Sequence, residues 1–231
     1  MSSTHNPGRV AGLWYLLLVL VGPLRLIYIP TKLFVHGDAA ATVNNIAAHE
    51  WLFRFGIVGD LIGAVVLIFL VLAFYRLFKD VDQYLAMLVV ILGGVMPALL
   101  YFVNVVSDSG ALMIARGADF LSVFDKPQRD ALAFLFLRLH HQLDVAGEVL
   151  WGLWLFPLAL LTWRSGFLPR VLAVWLVFAG FSYLALSFTA ELLPQFEDTV
   201  FKLGSPARLG EMAFALWLLI MGAKTRTANV R

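Results

Sequence analysis

Cysteine is absent from the 231-residue chain, and charged residues are scarce. Without thiols there can be no disulfide bonds, thiolate metal ligands or cysteine nucleophile, so any chemistry must use histidine, carboxylate, hydroxyl or arginine side chains. Charged residues make up 14% of the chain and hydrophobic residues 61%, against about a quarter and about half in soluble domains. A soluble domain of this length could not hide so much apolar surface from water. We therefore expect a protein that is solvated largely by lipid.

Several motifs that would indicate a soluble function are also missing. The formal net charge is only +2, and no long run of Lys and Arg precedes the C-terminal tail, so nucleic acid is not expected as a partner. The chain contains no GxGxxG or GxxxxGK[ST] phosphate loop and no GxSxG elbow. These absences argue against a bound nucleotide and against a serine hydrolase built on that elbow.

Apolar segments long enough to cross a bilayer recur along the whole chain. A membrane span needs about 20 residues, and the first segment is too long for the core of a cleaved signal peptide. Ser205 and Pro206 form a pattern typical of a helix start. We predict an all-α, polytopic bundle that forms a single integral membrane domain over residues 1–231. Its six predicted spans lie near 10–29, 53–78, 84–107, 142–163, 168–189 and 207–223.

Basic residues are concentrated on one side of the predicted bundle. The short connections and the two termini share that side, and Asp80 and Asp82 are its only acidic residues. By the positive-inside rule, both termini are predicted to lie in the cytoplasm, as expected for a multi-pass protein of a bacterial inner (plasma) membrane. The basic residues that support this orientation are Arg9, Arg76, Lys79, Arg164, Arg170, Lys224, Arg226 and Arg231.

Charged and polar side chains at membrane depth are the strongest functional signal in the sequence. Such groups are costly in lipid and commonly mark a binding site or an ion path. With the predicted topology they fall in the outer half of the membrane. We therefore expect an outward-facing polar pocket that binds a small polar ligand or ion, with lipid as the only other expected partner. The residues assigned to this pocket are Arg25, Asp60, Asn104, Asp144, Glu148 and Glu211.

The fourth predicted helix suggests a metal site as an alternative. Its His140, Asp144 and Glu148 recur at four-residue steps, and His141 lies three residues before Asp144. These four residues could ligate a divalent metal such as zinc, with Asp60 or Glu211 completing the shell, and activate a water for hydrolysis. The protein would then be a metal-dependent membrane hydrolase, although no HExxH motif is present.

Other interpretations also remain open. Arg25 and Arg208 could neutralise the carboxylates as a structural charge network in a non-catalytic sensor or assembly partner. A transporter built from six helices without internal repeats would favour a homo-oligomer. A bis-histidine haem is not expected, because only the neighbouring His140 and His141 lie near a predicted span. Whether the protein is an enzyme stays undecided at this stage.

Four stretches of the chain resemble an uncharacterised bacterial membrane family called domain of unknown function 4386. They cover nearly the whole chain in the same order. The resemblance implies a six-helix membrane layout and no agreed activity, and it places Asp60 and Glu211 inside matching stretches. The stretches are RVAGLWYLLLVLVGP at 9–23, HGDAAATVNNIAAHEWLFRFGIVGDL at 36–61, WRSGFLPRVLAVWLVFAGFSYL at 163–184 and LGEMAFALWLLIMG at 209–222.

Overall fold

The computed structural model describes residues 6–223, and within them the chain is helical. Lys224, Arg226 and Arg231, which supported the predicted orientation, lie outside the described residues. Two π-helical turns, Leu24–Tyr28 and Ile91–Val95, interrupt the first and third long helices. The α-helices are α1 (Pro7–Pro23), α2 (Ile29–Leu33), α3 (Ala39–Ala48), α4 (Glu50–Phe78), α5 (Gln83–Val90), α6 (Met96–Ala115), α7 (Lys126–Leu153), α8 (Leu155–Ser165), α9 (Arg170–Leu192) and α10 (Glu197–Ile220).

Five helical segments are long and apolar enough to cross a membrane, which confirms the all-α class and supports a membrane protein. The sixth predicted span lies within α10, which begins with Glu197 and Asp198 and is not among the five. The sixth crossing and the cytoplasmic termini therefore stay predictions. The five segments are Pro7–Leu33, Glu50–Phe78, Gln83–Ala115, Lys126–Ser165 and Arg170–Leu192.

Local sequence signals account for several helix ends. Asp38 accepts a hydrogen bond of 2.8 Å from the Ala41 amide at the start of α3, and Asp82 caps α5 in the same way. A capping carboxylate satisfies one of the amides that a helix leaves unpaired. Gly166 ends α8 with a φ of +67°, a conformation that glycine adopts without strain.

The predicted start of the last helix at Ser205 and Pro206 is wrong, because Pro206 lies inside α10. Proline is tolerated in a membrane helix when other groups satisfy the backbone oxygens around it. Here the Trp175 indole donates to the Pro206 carbonyl at 3.1 Å, and the Arg208 guanidinium donates to the Phe201 carbonyl. The missing Pro206 N–H would have donated to the Lys202 carbonyl, so these two bonds go to neighbouring carbonyls and hold the backbone around the proline.

The chain divides into two compact units. Among the described residues, the first unit comprises 6–19, 66–98 and 145–223, and the second comprises 20–65 and 99–144. An aromatic group that includes Tyr15, Phe74 and Phe214 lies at the core of the first unit, with ring centroids 5.9 to 6.5 Å apart.

The second unit has an aliphatic core around the ends of its helices. Ile29, Leu33 and Ile46 pack with Phe53 and Leu137, and all five side chains are buried. Gly56 allows the close approach of Ile29, since a Cβ atom there would lie 3.2 Å from Ile29 Cδ1. This core fixes the helices that carry most of the predicted site residues.

Candidate functional site

The second unit contains a group of polar side chains that we call the polar cluster. Its members come from the π-helical turn after α1 and from α4, α6 and α7. Four of them are buried, and the side chains of the other two are 17% and 18% exposed. The polar cluster consists of Arg25, Asp60, Asn104, Asp108, His140 and Asp144.

Arg25 links two carboxylates of the polar cluster. It lies in the π-helical turn that follows Pro23, and such turns often accompany functional sites. Its Nη1 atom is 2.8 Å from Asp60 Oδ1 and 3.6 Å from Asp144 Oδ2. The Tyr101 ring lies against the same guanidinium, with its centroid 4.8 Å from Cζ. The guanidinium is thus held by two opposite charges and one aromatic face.

Gly63 on α4 leaves room for the Tyr101 ring. A Cβ atom on Gly63 would lie 3.1 Å from Tyr101 Cε2, closer than side chains ordinarily approach. A side chain here would force the tyrosine ring to shift by a few tenths of an ångström, so the glycine lets the ring pack closely over α4. A small residue in a membrane helix thus contributes to the geometry of the site.

His140 joins the remaining two carboxylates. Its Nδ1 atom lies 2.8 Å from Asp108 Oδ1, and its Nε2 atom lies 3.3 Å from Asp144 Oδ2. Asn104 donates from Nδ2 to Asp144 Oδ1 at 2.8 Å. The four-residue spacing of His140 and Asp144 on α7, and of Asn104 and Asp108 on α6, aligns each pair on one helix face.

Asp60 is the least satisfied member of the polar cluster. It is 0% exposed, and its contact with Arg25 is an ion pair without the orientation of a hydrogen bond. Among residues 6–223, no group donates a hydrogen bond to either of its carboxylate oxygens, nor to Asn104 Oδ1. A buried acceptor left without a donor costs about 1–3 kcal/mol, and more when it is charged. These oxygens are therefore suited to contact an additional ligand.

A cavity of about 730 Å³ lies in the same unit. Its lining includes Ser109, the neighbour of Asp108, and Ile57, which is three residues from Asp60 on α4. Arg54 and Arg116 also line it, and both form ion pairs with Glu50. The cavity thus borders α4 and α6, the helices that carry Asp60 and Asp108.

The structure brings together part of the predicted pocket. Arg25, Asp60, Asn104 and Asp144 lie in the polar cluster, together with His140 from the predicted metal site. His141 is exposed, and Glu148 and Glu211 belong to the first unit. Asp108 was not assigned to the site, although its spacing from Asn104 was a usable signal. It lies just beyond the predicted end of the third span.

Glu211 has a separate set of neighbours in the first unit. The Tyr15 hydroxyl donates to Glu211 Oε2 at 2.5 Å. Arg208, which was considered as a partner for the carboxylates, donates to Ser182 Oγ at 2.9 Å and to the oxygens of Phe201 and Ser205. The hydrogen bonds of Arg208 thus go to neutral oxygens rather than to a carboxylate.

Comparison with known proteins gives one match. A family model with the description "Domain of unknown function (DUF4386)" matches residues 10–222, nearly the whole chain. No curated protein and no solved structure matches the chain.

Proposed function

Because the chain belongs to the DUF4386 family, whose description names no activity, we propose a function from the residues of the chain itself. It is a multi-pass protein of the cell membrane, and its polar cluster binds a small polar ligand or ion, most favourably a cation. The buried carboxylate of Asp60, which accepts no hydrogen bond from residues 6–223, carries this proposal.

The charge of the polar cluster favours a cation over an anion. Asp60, Asp108 and Asp144 contribute three negative charges, and Arg25 contributes one positive charge. Both ring nitrogens of His140 face carboxylate oxygens, an arrangement that favours the imidazolium, so one negative charge remains uncompensated. A net charge at membrane depth is costly, so a bound cation would relieve the imbalance.

The proposed topology has six spans, with α10 as the sixth and both termini in the cytoplasm. This orientation follows from the basic residues of the short connections and termini. It places the start of α4 and the end of α6 toward the outer face, so a ligand would enter from outside. The cavity beside Ser109 and Ile57 supports such a route.

Thermal unfolding of the purified full chain in detergent tests this proposal. A ligand that binds only the folded state at 100 times its dissociation constant stabilises it by about 2.7 kcal/mol. We expect at least one of a panel of mono- and divalent cations and small polar solutes to raise the unfolding temperature of the wild type. The same ligand should have no effect on Asp60→Asn.

Asp130→Asn is the matched control for this experiment. Asp130 is also a buried carboxylate, but its partner is Lys126 at 2.7 Å, outside the polar cluster. The control should respond to the ligand as the wild type does. A panel without any Asp60-dependent stabilisation would contradict ligand binding at the polar cluster.

A structural charge network is the second candidate, and the ion pair of Arg25 with Asp60 favours it. In that case the polar cluster would stabilise the bundle of a non-catalytic sensor or assembly partner. The two candidates differ in their prediction for ligands, because a purely structural network needs none.

A further inference from the structure

We propose that Asp60, Asp108 and His140 form a binding site for one divalent transition-metal ion such as Zn²⁺ or Mn²⁺. This inference rests on the proposed function and names the ligand class of the same polar cluster. Each of the three residues offers one ligand atom, and these atoms lie within 4.8 Å of one another. Ligand atoms that each lie about 2 Å from a tetrahedral ion are about 3.3 Å from one another, so small side-chain rotations would bring these atoms into range.

The ligand set distinguishes among metals. Two carboxylate oxygens and one imidazole nitrogen suit Zn²⁺, Mn²⁺ and similar ions. Mg²⁺ and Ca²⁺ favour oxygen ligands alone, and the absence of cysteine excludes sites built on thiolates. Three protein ligands with a further position for water or a substrate are typical of catalytic rather than structural zinc sites.

Charge balance supports a divalent ion in particular. A dication together with Arg25 carries three positive charges, which match the carboxylates of Asp60, Asp108 and Asp144 when the imidazole is neutral. A neutral imidazole is the form that ligates metals. The occupied cluster would therefore carry no net charge in an environment that penalises one.

The hydrogen bonding of Asp60 and Asn104 independently supports a ligand in the polar cluster. The carboxylate of Asp60 is 0% exposed, and neither oxygen accepts a hydrogen bond from residues 6–223. The buried Asn104 Oδ1 also lacks a donor among these residues, while Nδ2 of the same side chain is bonded to Asp144. Apart from the ion pair of Asp60 with Arg25, these buried oxygens have no partner among residues 6–223, and a bound cation could contact them.

Asp144 would act as a positioning residue rather than as a ligand. It lies 3.3 Å from His140 Nε2, so it can accept a hydrogen bond from that atom while Nδ1 faces Asp108 and the ion. A carboxylate in this position fixes the orientation and tautomer of a metal-binding histidine. The site therefore differs from the predicted one: His140 is common to both, Asp60 was one of two residues expected to complete the shell, and Asp108 is new.

Elemental analysis of the purified full chain tests the site. The protein is freed of metal with a chelator, equilibrated with Zn²⁺ or Mn²⁺, and separated from unbound ions before measurement. We expect about one metal ion per chain in the wild type. Loss of a ligand in Asp108→Asn or His140→Gln should lower metal affinity by about 100-fold or more, since loss of an outer-shell partner already costs 10–100-fold.

Two controls separate this site from adventitious binding. His141→Gln removes the exposed neighbouring imidazole, and Asp130→Asn removes a buried carboxylate on the same helix. Both variants should bind metal as the wild type does. Because Asp60→Asn removes the closer of the two carboxylates that pair with Arg25 and so destabilises the fold, the contribution of Asp60 is measured in the double variant Arg25→Gln/Asp60→Asn, which should also lose the metal.

The absence of stoichiometric metal from the folded wild type would overturn this inference, as would full binding by His140→Gln or loss of binding by His141→Gln. Thermal unfolding tests the proposed function separately from metal binding. If a monovalent cation or an organic solute stabilises the wild type through Asp60 and neither metal binds, the metal inference alone is wrong. If nothing stabilises the wild type, both proposals fail.

Discussion

Arg25 is the only cation that contacts Asp60 among the described residues, and its side chain is 6% exposed. Arg25→Gln would leave the Asp60 carboxylate buried without a countercharge. Breaking a buried ion pair from one side destabilises a protein by about 3–5 kcal/mol, so we expect a loss of that size in the free energy of unfolding. Denaturant unfolding in detergent, followed by helical circular dichroism, measures it.

The double variant Arg25→Gln/Asp60→Asn tests whether the uncompensated Asp60 carboxylate causes this loss of stability. Removing both charges eliminates the uncompensated carboxylate, so the double variant should be more stable than Arg25→Gln. Arg54→Gln is the matched control, because Arg54 also pairs with a carboxylate but is 41% exposed. An exposed i,i+4 pair contributes only about 0.3–0.5 kcal/mol. Equal losses in Arg25→Gln and Arg54→Gln would show that the buried pair is not important for stability.

Glu211 gives a second prediction at the residue scale. Tyr15 is 2% exposed, and its hydroxyl donates to Glu211 Oε2. Tyr15→Phe keeps the ring but removes this donor, so the free energy of unfolding should fall by about 1–3 kcal/mol. Tyr84→Phe, at a residue that is 72% exposed, should leave stability unchanged. A Tyr15→Phe variant as stable as Tyr84→Phe would contradict a stabilising role for the hydrogen bond.

The sequence identified members of the polar cluster better than it identified the partners of each one. Asp60 and Asp144 could be selected because a carboxylate at membrane depth is costly wherever it points. Their partners depend on the rotation of each helix about its axis. The π-helical turn that carries Arg25 changes that rotation, and the apolar pattern around it does not reveal the turn. Asp108 was missed because it lay one residue beyond the apolar segment that defined the third span.

At the scale of elements, close helix packing in the first unit depends on glycine. A Cβ atom on Gly12 of α1 would lie 2.5 Å from the backbone nitrogen of Leu219 on α10, whereas one on Gly22 would have nothing within 4 Å. Backbone atoms cannot rotate away as a side chain can. We therefore expect Gly12→Ala to destabilise the protein by about 1–3 kcal/mol through overpacking.

Gly22→Ala, the matched substitution on the same helix, should be neutral or stabilising by up to about 1 kcal/mol, because alanine favours a helix more than glycine does. The comparison therefore separates packing from helix propensity. Thermal unfolding in detergent provides the measurement. Similar unfolding temperatures for the two variants would mean that α1 and α10 do not pack as closely as the structure has them.

Helix boundaries were predictable where a local signal was sufficient. Asp38 carries a local capping signal and caps α3, because an aspartate at that position bonds the helix amides irrespective of the rest of the fold. Pro206 gave the wrong start for α10, because a proline after a serine is compatible both with a helix start and with the interior of a membrane helix. The local pattern around Pro206 does not distinguish these two positions.

At the scale of the whole molecule, composition was enough to predict the class of protein. So many apolar residues in a short chain need a lipid environment, and five helical segments meet the requirements of a span. Composition does not fix the number of membrane crossings. α10 contains Glu197, Lys202, Arg208 and Glu211 along with its apolar end, so composition alone does not assign it to the membrane.

The crossing of α10 can be tested directly, because the chain has no cysteine and a single introduced thiol is the only one present. Ser122 lies in the connection between α6 and α7, and Lys79 lies between α4 and α5. Both positions are exposed, and each is replaced by cysteine in turn. With six spans and cytoplasmic termini, a membrane-impermeant maleimide should label Ser122→Cys in intact cells. It should label Lys79→Cys and Arg231→Cys only after the membrane is permeabilised, since basic connections stay inside. If α10 does not cross, Arg231→Cys would be labelled in intact cells while Lys79→Cys is still protected, and a five-span protein would follow.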